Sequence, residues 1–272
     1  MGTMRANHAL QALIAVSGRE LTRFAQQRGR LFSALVRPAL WLLVFAAGFQ
    51  NVFGVAVIEP YESYIEYQVY IAPGLIGMVL LFNSMQSSLA MVYDREMGLM
   101  RLLLTAPLPR WYLLLCKLAA GALLSVLQVY AFIALCAVFA IDLPWWGALR
   151  ALPAIVLGGF MLGALGLLLS VSVKQLENFA GTMNFVIFPM FFLSSALYPL
   201  WRFEEAGARV LYALAQFNPF THVVELVRYS LYGKFNAVSL AVVVGSMLVF
   251  FALAVWGYDP QKGLAARRGA AG

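Results

Sequence analysis

Apolar residues gather into six long runs, at roughly 38–56, 70–92, 113–140, 150–173, 179–200 and 238–258. The runs are continuous rather than alternating, which predicts helices and disfavours a β-barrel. Each approaches the ~20 residues that a helix needs to cross a hydrocarbon layer. A helix also satisfies its own backbone hydrogen bonds in lipid. The expected fold class is an all-α membrane protein, a single transmembrane domain over 1–272 with six spans.

The segments between the runs sharpen this picture. Residues 6–30 place Leu10, Leu13, Ile14, Leu21 and Phe24 near helical spacing, while Arg19, Glu20, Arg23, Gln26 and Gln27 interrupt any span. This pattern predicts an amphipathic helix lying along the membrane surface. No apolar core followed by a small-residue cleavage site occurs there, so no cleavable signal is expected. Span 1 opens at Arg37-Pro38, with Arg37 expected to snorkel to the interface. After it come Glu59, Tyr61, Glu62, Tyr64, Glu66, Tyr67 and Tyr70, which read as an outer segment anchored at the interface by phenol rings. Asp142-Leu143-Pro144-Trp145-Trp146-Gly147 predicts a tight outer turn between spans 3 and 4. Span 4 carries Gly159 and Gly163 as a GxxxG pair, which permits close helix packing. Its partner lies in the same chain or in a second copy. The short loop Lys174-Gln175-Leu176-Glu177-Asn178 is a polar turn or a small cytoplasmic contact.

Residues 202–233 are too apolar for a free loop and too polar for a span. Glu204 to Ala215 reads as a short amphipathic helix. Asn218 is placed to cap a second helix that starts at Pro219 and stops at Gly233. Glu225 and Arg228 fall three apart and can pair on one face of it. Both short helices are expected to dip into the outer leaflet.

Residues 94–110 form the long stretch between spans 2 and 3. Asp94, Arg95 and Glu96 open it. Leu99, Leu102, Leu103 and Ala106 share one helical face. Pro107 and Pro109 end the helix and force a sharp exit into span 3. On local physics this segment serves equally as a stiff element transmitting a push into two spans or as a loop anchoring them.

Composition narrows the function. Charged residues are 11% of the chain and hydrophobic ones 62%, against roughly a quarter charged in soluble domains. The net charge of +7 is distributed by side rather than in a nucleic-acid patch. With the N-terminus placed in the cytoplasm, 14 of the 19 Lys and Arg residues fall inside, Arg37, Arg95, Arg101, Arg110 and Lys117 among them. The positive-inside rule then puts both termini in the cytoplasm, and the basic excess also suits anionic lipid. Cys116 and Cys136 lie about 30 Å apart on one helix and read as apolar fillers.

Enzyme motifs are absent. No G-x-x-x-x-G-K-[ST] phosphate loop occurs, so ATP hydrolysis by this chain is not expected. His8 and His222 stand far apart with no ligand cluster at metal spacing. Neither a catalytic nor a metal site is predicted. The polar residues within the spans are neutral, including Asn83, Gln86, Gln128, Asn184 and Ser194, which disfavours an ion-driven pump. They line a route or bond helices together. Glu59, Glu62 and Glu66 form the close acidic cluster that a membrane-embedded transferase would need. A conduit powered from outside the chain, or a passive scaffold or assembly factor, fits the uncharged spans better.

Two segments resemble the membrane permease subunits of type 2 ABC exporters (the ABC-2 type). They are Arg95-Glu96-x-Gly98-x-x-Arg101-x-Leu103-x-x-Ala106-Pro107-x-x-Arg110, with Lys117 following, and Asn218-Pro219-Phe220-Thr221-x-x-x-Glu225-x-x-Arg228. The resemblance covers nearly the whole chain. It implies a six-span permease in the bacterial inner membrane, paired with a second permease copy and served by two ATP-binding subunits. ATP and Mg would sit on those partners, with no cofactor in this chain. It makes 94–110 a coupling helix, with Glu96, Gly98, Arg101, Pro107 and Arg110 as coupling residues. It makes Asn218, Pro219, Glu225 and Arg228 outer-gate residues. The compact form is similar to drug, nodulation-factor and polysaccharide exporters, which implies efflux of an amphipathic drug, lipid or lipid-linked glycan.

Overall fold

The computed structural model describes residues 6–26, 28–49, 59–62, 64–96, 109–173 and 175–258. Eleven helices are described: α1 Ala6–Gln26, α2 Arg28–Phe49, α3 Tyr67–Glu96, α4 Arg110–Val138, α5 Trp145–Arg150, α6 Leu152–Ser172, α7 Leu176–Phe192, α8 Trp201–Glu205, α9 Arg209–Phe217, α10 Pro219–Leu231 and α11 Ala237–Gly257. No strand element occurs among the described residues, as the continuous apolar runs predict.

Four helices are long and apolar enough to cross a membrane: α3 as far as Asp94, α4, α6 and α11. They coincide with predicted spans 2, 3, 4 and 6. The other two runs differ. Span 1 lies in α2, whose short apolar stretch is Leu35–Val44, and its predicted end at 50–56 falls outside the described residues. Span 5 is α7, which ends after 17 residues at Phe192. Pro189 sits in its last turn and offers no backbone donor. The chain beyond runs through turns from Leu193 to Leu200 instead of continuing as helix.

The centre of the bundle is α6, which packs on α3, α4 and α11. Its small residues explain how. A Cβ on Gly163 would stand 2.5 Å from Leu118 Cδ1, and one on Gly166 would stand 2.2 Å from Ser88 Oγ. The close-packing face therefore meets α4 and α3 of the same chain, which resolves the choice that the GxxxG pattern leaves open. By contrast, α11 is apolar throughout and buries little beyond Ser239, Val243 and Ala254. Such a helix suits packing along one side, on α6 and α10, with lipid around the rest.

The expectation of two helices dipping into a leaflet changes in detail. α10 is core: Phe220, Val223, Val224, Val227 and Leu231 are buried, and the helix packs on α3, α6 and α11. α9 instead leaves Val210, Leu214 and Phe217 exposed. The predicted ends of α10 hold. Asn218 Oδ1 accepts from Phe220 N at 3.0 Å, and Gly233 adopts φ +70° just past the helix.

Gly166→Ala should lower the stability of the detergent-solubilised protein by about 1–3 kcal/mol, since its methyl collides with Ser88. Gly245→Ala, which meets nothing within 4 Å, should be neutral or slightly stabilising. Melting temperatures check both; an unchanged value for Gly166→Ala contradicts the packing argument.

Candidate functional site

Three groups of polar side chains are strung along α3. The first lies at its C-terminal end, the second near its middle, and the third at its N-terminal end.

Asp94 lies two residues before the end of α3 and is only 2% exposed. An acidic residue opening a surface segment would ordinarily be solvated; here basic side chains from two other helices bury it. Lys117 of α4 donates from Nζ to Oδ2 at 3.2 Å. Arg23 and Arg19 of α1 reach the same carboxylate at 3.6 and 3.8 Å, and Glu20 pairs with Arg19 at 2.9 Å. One carboxylate thus neutralises cations on α1 and α4, and α1 packs along α4. A narrow crevice opens beside it, lined in part by Glu20, Ser84, Ser87 and Ser88.

Glu96 extends this junction. Its Oε1 accepts a hydrogen bond from Leu176 N at 2.8 Å, at the first residue of α7. Gln175, the N-cap residue of α7, supplies no side-chain cap, so Glu96 caps that helix from across the chain. The beginning of the 94–110 segment is therefore tied to α1, α4 and α7 together. Of the other predicted coupling residues, Arg110 begins α4. Gly98, Arg101 and Pro107 lie outside the described residues. The role of Asp94 has a signal in the sequence, since Lys117 stands within an apolar run and such a lysine needs a counter-ion.

The predicted route-lining residues divide. Asn83 donates to Ser125 Oγ at 2.6 Å and to Gly121 O at 3.2 Å, and Gln128 Nε2 donates to Asn83 Oδ1 at 3.1 Å. These bonds join α3 to α4. Gln86 shares a crevice with Asn83 and Gln128. Asn184 lies apart on the exposed side of α7, and Ser194 is turned inward to bond Phe191 O at 2.6 Å. The five residues do not line one continuous surface in this chain.

Arg37 also departs from expectation. It packs against α3 from within α2. Its guanidinium carbon stands 3.9 Å from the centroid of Phe82, near the middle of the Tyr67–Asp94 apolar stretch. α2 continues past it on both sides, so the side chain is held beside α3 rather than at a helix end.

At the opposite end, the non-helical turn after α7 places bare carbonyls among apolar helices. Four side chains serve them. Asn218 Nδ2 donates to Met190 O and Leu193 O at 2.7 and 2.6 Å. Tyr70 donates to Ser195 O at 3.1 Å and Tyr67 to Leu197 O at 2.7 Å. Arg228, 2% exposed, donates to Ser195 O at 2.8 Å, bonds Glu225 and lies 4.3 Å from the Tyr70 ring centroid. Tyr61, Tyr67 and Tyr70 are consequently buried, whereas Tyr64 remains exposed at the surface. The interface-anchor reading fails for those three because their hydroxyls are needed inward or their rings fill the core. Burial opposes the Arg228 charge, but Glu225 and Tyr70 outweigh it and raise its pKa above the ordinary arginine value. Burial pushes the Tyr61 phenol up to about 12. The predicted outer-gate residues Asn218, Pro219, Glu225 and Arg228 therefore come together around one broken segment. His222 adds contacts to Gln216 O at 3.0 Å and Ser239 Oγ at 3.3 Å. Among the described residues, no cluster of His, Cys, Asp and Glu could hold a metal ion.

Comparison with known proteins agrees with this architecture. Residues 11–232 match the family described as ABC-2 type transporter, and the chain belongs to that family. A protein of Cyanophora paradoxa named as a transport permease, ycf38, is 28% identical over 81% of this chain and 74% of its own length. The Escherichia coli K12 protein named "Probable multidrug ABC transporter permease YbhR" is 26% identical over 62% of this chain and 45% of its own length. Nodulation protein J of Rhizobium leguminosarum bv. viciae is 30% identical over a third of each chain, 33%. The protein is thus a transport permease built of membrane-crossing helices.

Asp94→Asn should cost about 3–5 kcal/mol, because it leaves Lys117 buried without its counter-charge. Lys117→Met in the same chain should restore much of that loss. Trypsin should also cut faster at Arg19 and Arg23 in Asp94→Asn, as α1 loses a tether. A double-mutant cycle of melting temperatures with zero coupling would refute the cluster. Asn218→Ala should cost at least about 1 kcal/mol, the usual value of a lost N-cap, since two further carbonyls lose their donor; a smaller loss of melting stability would contradict that assignment.

Proposed function

We propose that this permease is the membrane half of an ATP-driven exporter that moves an amphipathic compound outward across the bacterial inner membrane. The observation that carries this reading is the junction at Asp94 and Glu96. A force applied to the segment that follows them would reach α4 and α7 through charge-assisted hydrogen bonds and α1 through longer ion pairs. Such contacts are stiff and directional. They give an external motor a mechanical entry into the bundle, and the chain's own sequence contains no phosphate loop.

In this reading residues 94–110 dock in the ATP-binding subunit, with Glu96, Gly98, Arg101, Pro107 and Arg110 at the contact. Two ATP-binding subunits serve two permease copies, and ATP and Mg remain on those partners. The basic excess places the Asp94 end and both termini in the cytoplasm. α1 then lies at the inner surface, its exposed Leu10 and Ile14 facing lipid. The Arg228 end closes the outer side. Exposed apolar faces, including Phe32 and Leu40 on α2 and Phe185 and Phe188 on α7, suit lipid or the second copy. The names of the relatives, one for multidrug transport and one for nodulation, support a cargo with an apolar part.

Co-expression with candidate ATP-binding subunits tests the proposal. An ATPase should co-purify with the wild-type chain. Glu96→Ala and Arg101→Ala should each reduce permease-dependent ATP turnover in membranes by an order of magnitude or more while leaving the chain inserted. If no ATPase co-purifies, and turnover ignores both substitutions, the exporter reading is wrong and a non-transporting scaffold takes its place.

A further inference from the structure

We propose that Arg37 binds the anionic head of the transported amphipath at mid-membrane depth, so that the cargo is an acid such as a phosphate or carboxylate ester on an apolar body. The depth follows from helix geometry. Phe82, against which Arg37 lies, is 15 residues from Tyr67 and 12 from Asp94 along α3. At ~1.5 Å per residue, Arg37 stands roughly 20 Å from either end of that apolar stretch. A cation at such depth is costly and ordinarily marks a partner or a pathway.

Among the described residues Arg37 has no acidic partner. Of the 12 acidic residues, all but Asp259 are among those described, and none lies within ion-pair distance of Arg37. Asp94 is already engaged by Lys117 and α1, and Glu225 by Arg228. A second copy does not repair this. Its carboxylates occupy the same positions, in loops, at helix termini, or on the short helices and the surface-type helix α1. None falls within the middle of an apolar span.

The surroundings suit an anion. Phe82 covers one face of the guanidinium, and among the described residues its N–H edge makes no ion pair. That edge is the part which grips phosphate or carboxylate through paired hydrogen bonds. Arg37 lines a narrow crevice with Met78, Val79, Asn83, Gln86 and Gln128, so a head group would reach it only as these side chains part. Gln128 Oε1, buried in the α3–α4 network, has no hydrogen-bond partner. It can accept from a hydroxyl or amide of the same ligand. On its other flank, Arg37 borders an apolar depression with Phe32, Val36, Leu40 and Trp41, a place for the apolar body. Charged head, neighbouring acceptor and apolar wall thus meet at one side chain.

This inference rests on the export reading for its cargo, but binding can be measured without transport. The test uses the full-length chain in phosphatidylcholine nanodiscs, with dodecyl phosphate, dodecanol and inorganic phosphate as probes. Dodecyl phosphate should bind the wild type at least about 10-fold more tightly than dodecanol, the scale of one charge-assisted contact. Inorganic phosphate should bind far more weakly than either. Arg37→Gln should erase the preference for the phosphate head, and Arg37→Lys should retain part of it, with melting temperature confirming that each variant is folded. Equal affinities in wild type and Arg37→Gln overturn the proposal, as does tight binding of inorganic phosphate. Complete displacement of dodecyl phosphate by phosphatidylglycerol in the disc assigns the site to bilayer lipid and overturns the cargo. A final arm separates the two readings, using inverted vesicles supplied with ATP. If binding follows Arg37 but ATP moves no dodecyl phosphate, the exporter reading fails and the site stands. If ATP-driven uptake is equal in wild type and Arg37→Gln, the site fails and the exporter reading stands.

Discussion

An apolar surrounding allows no backbone carbonyl or amide to go unpaired, and this constraint governs both ends of the molecule. Unbroken helices meet it alone. The chain breaks helix after Phe192, however, and the carbonyls of Met190, Leu193, Ser195 and Leu197 must find donors elsewhere. Asn218, Tyr67, Tyr70 and Arg228 supply them. That requirement draws α10 into the core and turns Tyr67 and Tyr70 inward. It also buries Arg228, which keeps its charge because Glu225 stands one turn away on the same helix. The result is a non-helical segment held in the core by side-chain donors.

The other end follows the same logic with charges in place of carbonyls. Asp94 and Lys117 are each too buried to stand alone, and α1 completes the cluster with Arg19 and Arg23. The surface helix is therefore fastened to the bundle by electrostatics as well as by its apolar stripe. Glu96 then caps α7. The end of α3 is thereby joined to α1, α4 and α7 at one place, which is what the proposed coupling role asks of it. Between the two ends, the glycines of α6 bring α3 and α4 close enough for Asn83, Ser125 and Gln128 to bond across.

Much of this was legible in the chain alone. The Asn218-Pro219 start and the Gly233 stop of α10 were readable because caps are local: the residue that satisfies the helix lies within a few positions of it. The spans that became α3, α4, α6 and α11 were readable because a long apolar run has few alternatives in lipid. The failures share one cause. Tyr67 and Tyr70 look like interface anchors until carbonyls more than a hundred residues away require their hydroxyls, and Tyr61 does until its ring packs on Tyr70 and Tyr232. Asp94 looks solvated until α1 folds back over it. Arg37 looks like a residue at a span boundary until α2 extends past it. Asn184 and Ser194 look like lining residues, yet one points outward and the other bonds its own turn.

The sequence by itself determined that the protein is helical, that it crosses a membrane, that it carries no phosphate loop of its own, and which short segments begin and end its helices. Those properties depend on composition, periodicity and neighbours along the chain. Only the tertiary structure decided which polar side chains are spent on holding the bundle together and which remain available. That choice depends on contacts between residues distant in sequence. It separates Arg228, which is paired with Glu225 within the fold, from Arg37, which meets no carboxylate among the described residues.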